Sequence, residues 1–148
     1  MISNRPELTL PHRDPFLWVS RLMERNEDGS QGIVELDVAE SLDLFRGHFP
    51  GRPIFPGVLQ LEAGAQACMW VFLGQLEDGH IREGLFVAVD SYKFKKPVLP
   101  GDVLRIHCKK IVYRAGLHNW SVEIKSKDDS TLYSKGVFWM KLGEPISV

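Results

Sequence analysis

Residues 45–67 read Phe45-Arg46-Gly47-His48-Phe49-Pro50-Gly51-Arg52-Pro53-Ile54-Phe55-Pro56-Gly57-Val58-Leu59-Gln60-Leu61-Glu62-Ala63-Gly64-Ala65-Gln66-Ala67. Up to Gly57 the run alternates glycine and proline with aromatics, the composition of a stiff, turn-rich loop. Beyond Pro56-Gly57 proline disappears, and from Val58 to Leu76 the side chains are almost all apolar or small. That switch predicts a helix started through a Pro-Gly turn. A helix apolar on every side belongs in a core.

Glu62 is the one charged residue between Arg52 and Glu77. A carboxylate in such a helix has to be paired or hydrogen-bonded, because burying it alone is too costly. Gln66, one turn on along the same face, is placed to hold it. His48 stands upstream in the rigid loop. A histidine and a carboxylic acid around one apolar helix are the two groups needed to move protons on both sides of a bond. Taken singly, a loop histidine is ordinarily a surface residue and a helix glutamate a solvated one. Their combination with this loop points to chemistry.

Gly47 to Leu59, followed by Leu61-Glu62-Ala63 and Ala65-Gln66, resembles the active-site signature of the FabZ-type (3R)-hydroxyacyl-acyl carrier protein dehydratases, including the interval from His48 to Glu62. Leu10-Pro11-His12-Arg13-Asp14-Pro15-Phe16-Leu17 resembles that family's lead-in segment. Phe94-Lys95-Lys96-Pro97-Val98-Leu99-Pro100-Gly101-Asp102 resembles its later strand and turn. The sequence departs from the family pattern at Gly64, where a bulkier residue is usual, at Ala88, where glycine is common, and at Lys93, where arginine is common. Gly64 therefore either lets the helix pack closely or widens the substrate tunnel.

Outward from this stretch, 148 residues with 44% hydrophobic and 25% charged residues and a formal net charge of −1 describe an ordinary globular chain. We expect one domain over residues 1–148. Nothing in the charge balance suggests nucleic-acid binding. The first residues lack the apolar run of a signal peptide, and no stretch reads as a membrane span, so a cytoplasmic protein is expected. Cys68 and Cys108 read as reduced packing residues. His12, His80, His107 and His118 show no ligand spacing, and no metal site is expected. No nucleotide motif is present and no cofactor is implied. His12 reads as structural.

Strand signals run over residues 17–27 and 31–38, across an Asn26-Glu27-Asp28-Gly29-Ser30 turn, then over 85–94, 103–113, 117–125 and 131–141. Glu77-Asp78-Gly79-His80 marks the helix exit. Phe86, Val87, Ala88 and Val89 in succession predict a strand covered on both faces. Antiparallel strands with one apolar helix form an α+β fold in which the sheet must curl around the helix. The resemblance implies the same architecture, the hot-dog fold. It also implies a homodimer with shared active sites, and dimers in this family often assemble in threes.

The resemblance assigns removal of water from a (3R)-3-hydroxyacyl thioester to give the trans-2-enoyl product. It gives the C2 proton to His48 and the C3 hydroxyl to Glu62 of the partner subunit, with Gln66 supporting the acid. The backbone N–H groups of Gly57 and Val58, at the positive end of the helix dipole, are candidate donors to the developing oxyanion. Phe49, Phe55, Val89 and Phe94 are candidate walls of an acyl tunnel. Arg46, Arg52, Lys93, Lys95 and Lys96 form a candidate basic patch for acidic acyl carrier protein. An acyl thioesterase on the same fold and a non-catalytic acyl-binding module are the alternatives. The bifunctional dehydratase–isomerases of the fold use aspartate as the acid, so Glu62 favours the simple dehydratase.

Overall fold

The computed structural model describes residues 4–74 and 80–146. Among the described residues are six strands, β1 (Arg21–Arg25), β2 (Gln31–Asp37), β3 (Ile81–Phe94), β4 (Val103–Arg114), β5 (Leu117–Ser126) and β6 (Leu132–Ile146), one α-helix, α1 (Gly57–Leu73), and two short 3-10 turns at Pro6–Leu8 and Asp43–Arg46. The strands form one antiparallel sheet in the order β1-β2-β4-β5-β6-β3. The sheet curls around α1, the expected hot-dog arrangement. The helix exit predicted at residues 77–79 lies outside the described residues.

Alternation builds the core. Leu104, Ile106 and Cys108 of β4 and His118, Trp120, Val122 and Ile124 of β5 point inward at every second position, as the strand period requires. They close over α1, where Ala63 to Val71 are buried without interruption. Gly64 sits where a Cβ would meet Val122 Cγ1 at 3.2 Å. Of the two readings of this glycine, the structure supports close packing, here of α1 on β5.

The outer face of β1, β2 and β4 is held by charge. Glu35, 2% exposed, pairs in register with Arg21 and Arg105. Its carboxyl accepts from Arg21 Nη2 and Arg105 Nη2, both at 3.0 Å, while Arg21 also grips Asp37. Burial alone would raise the Glu35 pKa, but the two guanidinium groups outweigh it and hold the carboxyl below its usual range.

Two differences from expectation bear on function. Residues 17–20 belong to no strand: although the Ser20 N–H donates to Glu35 O at 2.8 Å, the Trp18 N–H is taken by Gln66 Oε1 of the helix at 2.8 Å. Strand β3 is not covered on both faces within the chain. It is the sheet edge, with Leu85, Val87 and Val89 about half exposed or more. Irregularities after Phe86 and Val89 shift its alternation, so that Phe86, Val89, Tyr92 and Phe94 pair with the inward-facing Met140, Phe138, Gly136 and Ser134.

Candidate active site

The loop before α1 is pinned by its own backbone. Phe49 and Arg52 exchange both N–H···O bonds (3.0 and 2.8 Å), with Gly51 at φ 73° where a side chain would be strained. Ile54 N–H donates to His48 O at 2.8 Å, and His48 Nδ1 lies 2.8 Å from Ile54 O. A carbonyl only accepts, so Nδ1 carries a proton, and in the neutral ring Nε2 holds the free lone pair of a base. Phe49 stacks on the imidazole at 4.1 Å between centroids.

Three residues beyond Ile54, α1 begins after Pro56 with no side-chain cap. The first hydrogen bonds there run from Leu59 and Gln60 to Pro56 O, so among the described residues the Gly57 and Val58 N–H groups have no partner. Phe94 lies across this turn, and a Cβ on Gly57 would stand 2.8 Å from its ring. A groove of about 300 Å³ passes here, lined by Ile54, Phe55, Gly57, Gln60, Phe94 and Lys96 among others.

Glu62 projects from the second turn with its side chain 20% exposed. Gln66, fully buried, donates from Nε2 to Glu62 Oε1 (3.1 Å) and to Phe16 O (3.0 Å). His12 Nε2 stands 3.5 Å from the same Oε1. In the sequence His12 reads as structural, and no spacing there links it to Glu62. Within the chain, no described hydrogen bond or ion pair joins His48 to Glu62. Gln66 thus hydrogen-bonds Glu62 from one helical turn away, and no described contact links that pair to His48.

The other candidates divide. Phe49, Val89 and Phe94 are about half exposed, whereas Phe55 is 1% exposed in the core against Trp18. Arg52 and Lys96 line one groove of about 670 Å³, and Lys95 and Lys96 border the groove at Gly57. Arg46 is engaged by Asp43 at 2.7 Å. Lys93 pairs with Lys135 and borders a separate groove with Ser121 and Glu123. The basic residues therefore do not share a single groove. Among the described residues no group of three or more His, Cys, Asp or Glu gathers as metal ligands, and no helix is long and apolar enough to cross a membrane.

Comparison with known proteins matches residues 10–135 to the FabA-like domain family. The chain is 43% identical over 124 residues to the 3-hydroxyacyl-(acyl-carrier-protein) dehydratase FabZ of Geotalea uraniireducens (strain Rf4), covering 83% of each chain. It is 44% identical over 108 residues to the FabZ of Symbiobacterium thermophilum, covering 73% of this chain and 75% of that one. Among solved structures it resembles the dehydratase heterocomplex ApeI:P from Xenorhabdus doucetiae, with a TM-score of 0.72, 16% identity and coverage of 94% of this chain and 91% of the other. A hypothetical thioesterase from Streptococcus pneumoniae shares the fold at a TM-score of 0.63 and 14% identity, covering 86% and 88%.

Proposed function

The chain belongs to the FabA-like family as a FabZ-type 3-hydroxyacyl-acyl carrier protein dehydratase, and on that premise we propose that His48 and the Glu62 of a partner subunit perform the dehydration. The substrate is a (3R)-3-hydroxyacyl chain on acyl carrier protein and the product is the trans-2-enoyl chain. The observation that carries the assignment of roles is the His48 ring, fixed at Nδ1 by Ile54 with Nε2 uncommitted.

In this reading the thioester carbonyl accepts hydrogen bonds from the unpaired Gly57 and Val58 N–H groups, where the helix dipole favours developing negative charge. His48 Nε2 takes the C2 proton. The released pair forms the C2=C3 bond as the C3–O bond breaks, and the hydroxyl leaves as water with a proton from Glu62. Transfer of the imidazolium proton back to the carboxylate resets the site. Each group contributes roughly 10² to 10⁴-fold.

The two groups meet if β3 pairs with β3 of a second copy. A long, apolar, unpaired edge calls for cover, and such pairing extends the sheet and brings the helices together. Phe49, Val89 and Phe94 then wall the acyl chain, with Phe55 behind them. The carrier protein docks on Arg52, Lys95 and Lys96, while Arg46 and Lys93 stand at the margin. The thioesterase and acyl-binding alternatives are not favoured. Purified protein given 3-hydroxyacyl chains on acyl carrier protein should form enoyl product without free thiol. His48→Ala and Glu62→Gln should each lower the rate at least about 10²-fold. Enoyl formation at the unmodified rate by either variant would refute its assigned role.

A further inference from the structure

The segment from Leu10 to Trp18 takes no part in the chemistry above, yet it wraps the acid. Leu10 is fully buried at one end and Trp18 nearly so at the other. Between them Arg13 ties the backbone, donating from Nη1 to Leu10 O and His12 O at 2.8 Å each and from Nη2 to Glu7 O at 3.2 Å. Gln66 binds the far side through Phe16 O and the Trp18 N–H. The main chain on both sides of His12 is therefore held, and its ring is delivered to the helix.

What it meets there is one oxygen. Gln66 Nε2 donates to Glu62 Oε1, and His12 Nε2 approaches the same atom at 3.5 Å. No described hydrogen bond or ion pair reaches Glu62 Oε2. His12 Nδ1 is buried without a hydrogen-bond partner. An unpaired buried N–H is costly, so the ring proton belongs on Nε2, where an acceptor stands within reach. A leucine at this position would fill similar space without leaving a buried ring nitrogen unsatisfied, so packing does not account for the imidazole.

We infer that His12 is a positioning residue for the acid. With Gln66 it supplies a second N–H to Glu62 Oε1, which makes Oε1 the accepting oxygen and confines the transferable proton to Oε2. The carboxyl is thereby held in one orientation, with Oε2 turned to the leaving hydroxyl. The 3.5 Å separation closes when substrate fills the site, as catalytic contacts commonly tighten in the bound state. The inference rests on the reading of Glu62 as the acid, and it names the residue that reading lacks.

The test compares His12→Leu, His12→Gln and His12→Asn in the dehydration assay, beside the unmodified protein and Glu62→Gln. The glutamine amide reaches the position of Nε2, the asparagine amide that of Nδ1. The expected result is a kcat at least tenfold lower for His12→Leu and His12→Asn, with KM and melting temperature unchanged, and recovery of most of kcat in His12→Gln. Three variants within twofold of the unmodified protein would overturn the inference. So would three equally slow variants, since a space-filling role cannot distinguish the two amides. Long-range 1H–15N spectra of the unmodified protein decide the matter if the variants fail to fold. The inference requires a protonated His12 Nε2 whose resonance moves in Glu62→Gln, and a bare Nε2 would overturn it. Absence of enoyl product from the unmodified protein, or full activity of Glu62→Gln, would instead refute the dehydratase reading or its acid, separately from what the spectra say of His12.

Discussion

At the scale of single residues, His48 and the donor groups of the proposed site are set by backbone atoms, whereas Glu62 is held by the side chain of Gln66. The Ile54 carbonyl accepts from His48 Nδ1, and the Gly57 and Val58 N–H groups are left without a partner among the described residues because α1 starts there without a cap. If these N–H groups bind the thioester oxygen as proposed, Gly57→Ala would crowd that approach with a methyl group 2.8 Å from the Phe94 ring. Phe94 is half exposed, so the far edge of its ring can give way, and we expect a near-normal melting temperature with kcat lowered about 10²-fold, the scale of losing an oxyanion donor. Steady-state kinetics beside thermal unfolding checks both. A second residue governs pH response. His118 is 3% exposed, packed edge-on by Phe72 and Tyr113, and burial, with a smaller contribution from Lys110, lowers its pKa to about 4. The fold keeps the ring neutral while the unfolded chain protonates near pH 6.5, so its contribution is complete above pH 6.5 and is lost as pH falls toward 4. His118→Phe should remove roughly 2–3 kcal/mol of that acid-dependent loss, read as the difference between stability–pH curves. His48, Glu62, Gln66 and Gly57 were legible because they fall within one continuous stretch. His12 was not, since it lies fifty residues before Glu62 and only the wrapped chain brings it there.

At the scale of elements, α1 depends on how near it comes to β5. Gly64 leaves room for Val122 at van der Waals distance and for nothing larger. Gly64→Ala trades a helix-propensity gain of about 1 kcal/mol against a mild clash, and its melting temperature should stay near the original. Gly64→Leu has to push helix and sheet apart and should cost about 1–3 kcal/mol or more, measured by urea unfolding. The existence and order of the strands were legible, and their ends to within about five residues, since β6 runs on to Ile146 beyond the expected 141 and β3 starts at Ile81 rather than 85. The first halves of β4 and β5 alternate, and their turns carry Gly116 and Asp129 at positive φ. The start of β1 was not, because a side chain of the helix claims the Trp18 N–H. For β3 the composition was legible but its setting was not. An apolar run announces that it must be covered without saying by what, and irregularities in the ladder, which leave no sequence signal, decide which of its residues face the helix.

At the scale of the whole molecule, the exposed β3 edge and the absence of a described contact between His48 and Glu62 would have one common resolution in the dimer proposed above. There a second copy paired along β3 would cover the apolar strand and supply the missing member of each site. This yields a prediction that an internal site could not satisfy. In a dimer of one His48→Ala chain and one Glu62→Gln chain, one site combines both defects, and the other combines the intact His48 of one chain with the intact Glu62 of the other. Mixing the two inactive variants through unfolding and refolding, or by co-expression, should therefore restore about a quarter of the original activity per chain, since half of the dimers are mixed and each has one of its two sites whole. Were both groups used within one chain, every chain in the mixture would be defective and no activity would return. The same experiment with a charge introduced at Val87, on the exposed edge, should lose the restored activity together with the dimer, which sedimentation would show directly. A mixture that regains activity while remaining monomeric would break the link between the edge strand and the shared site.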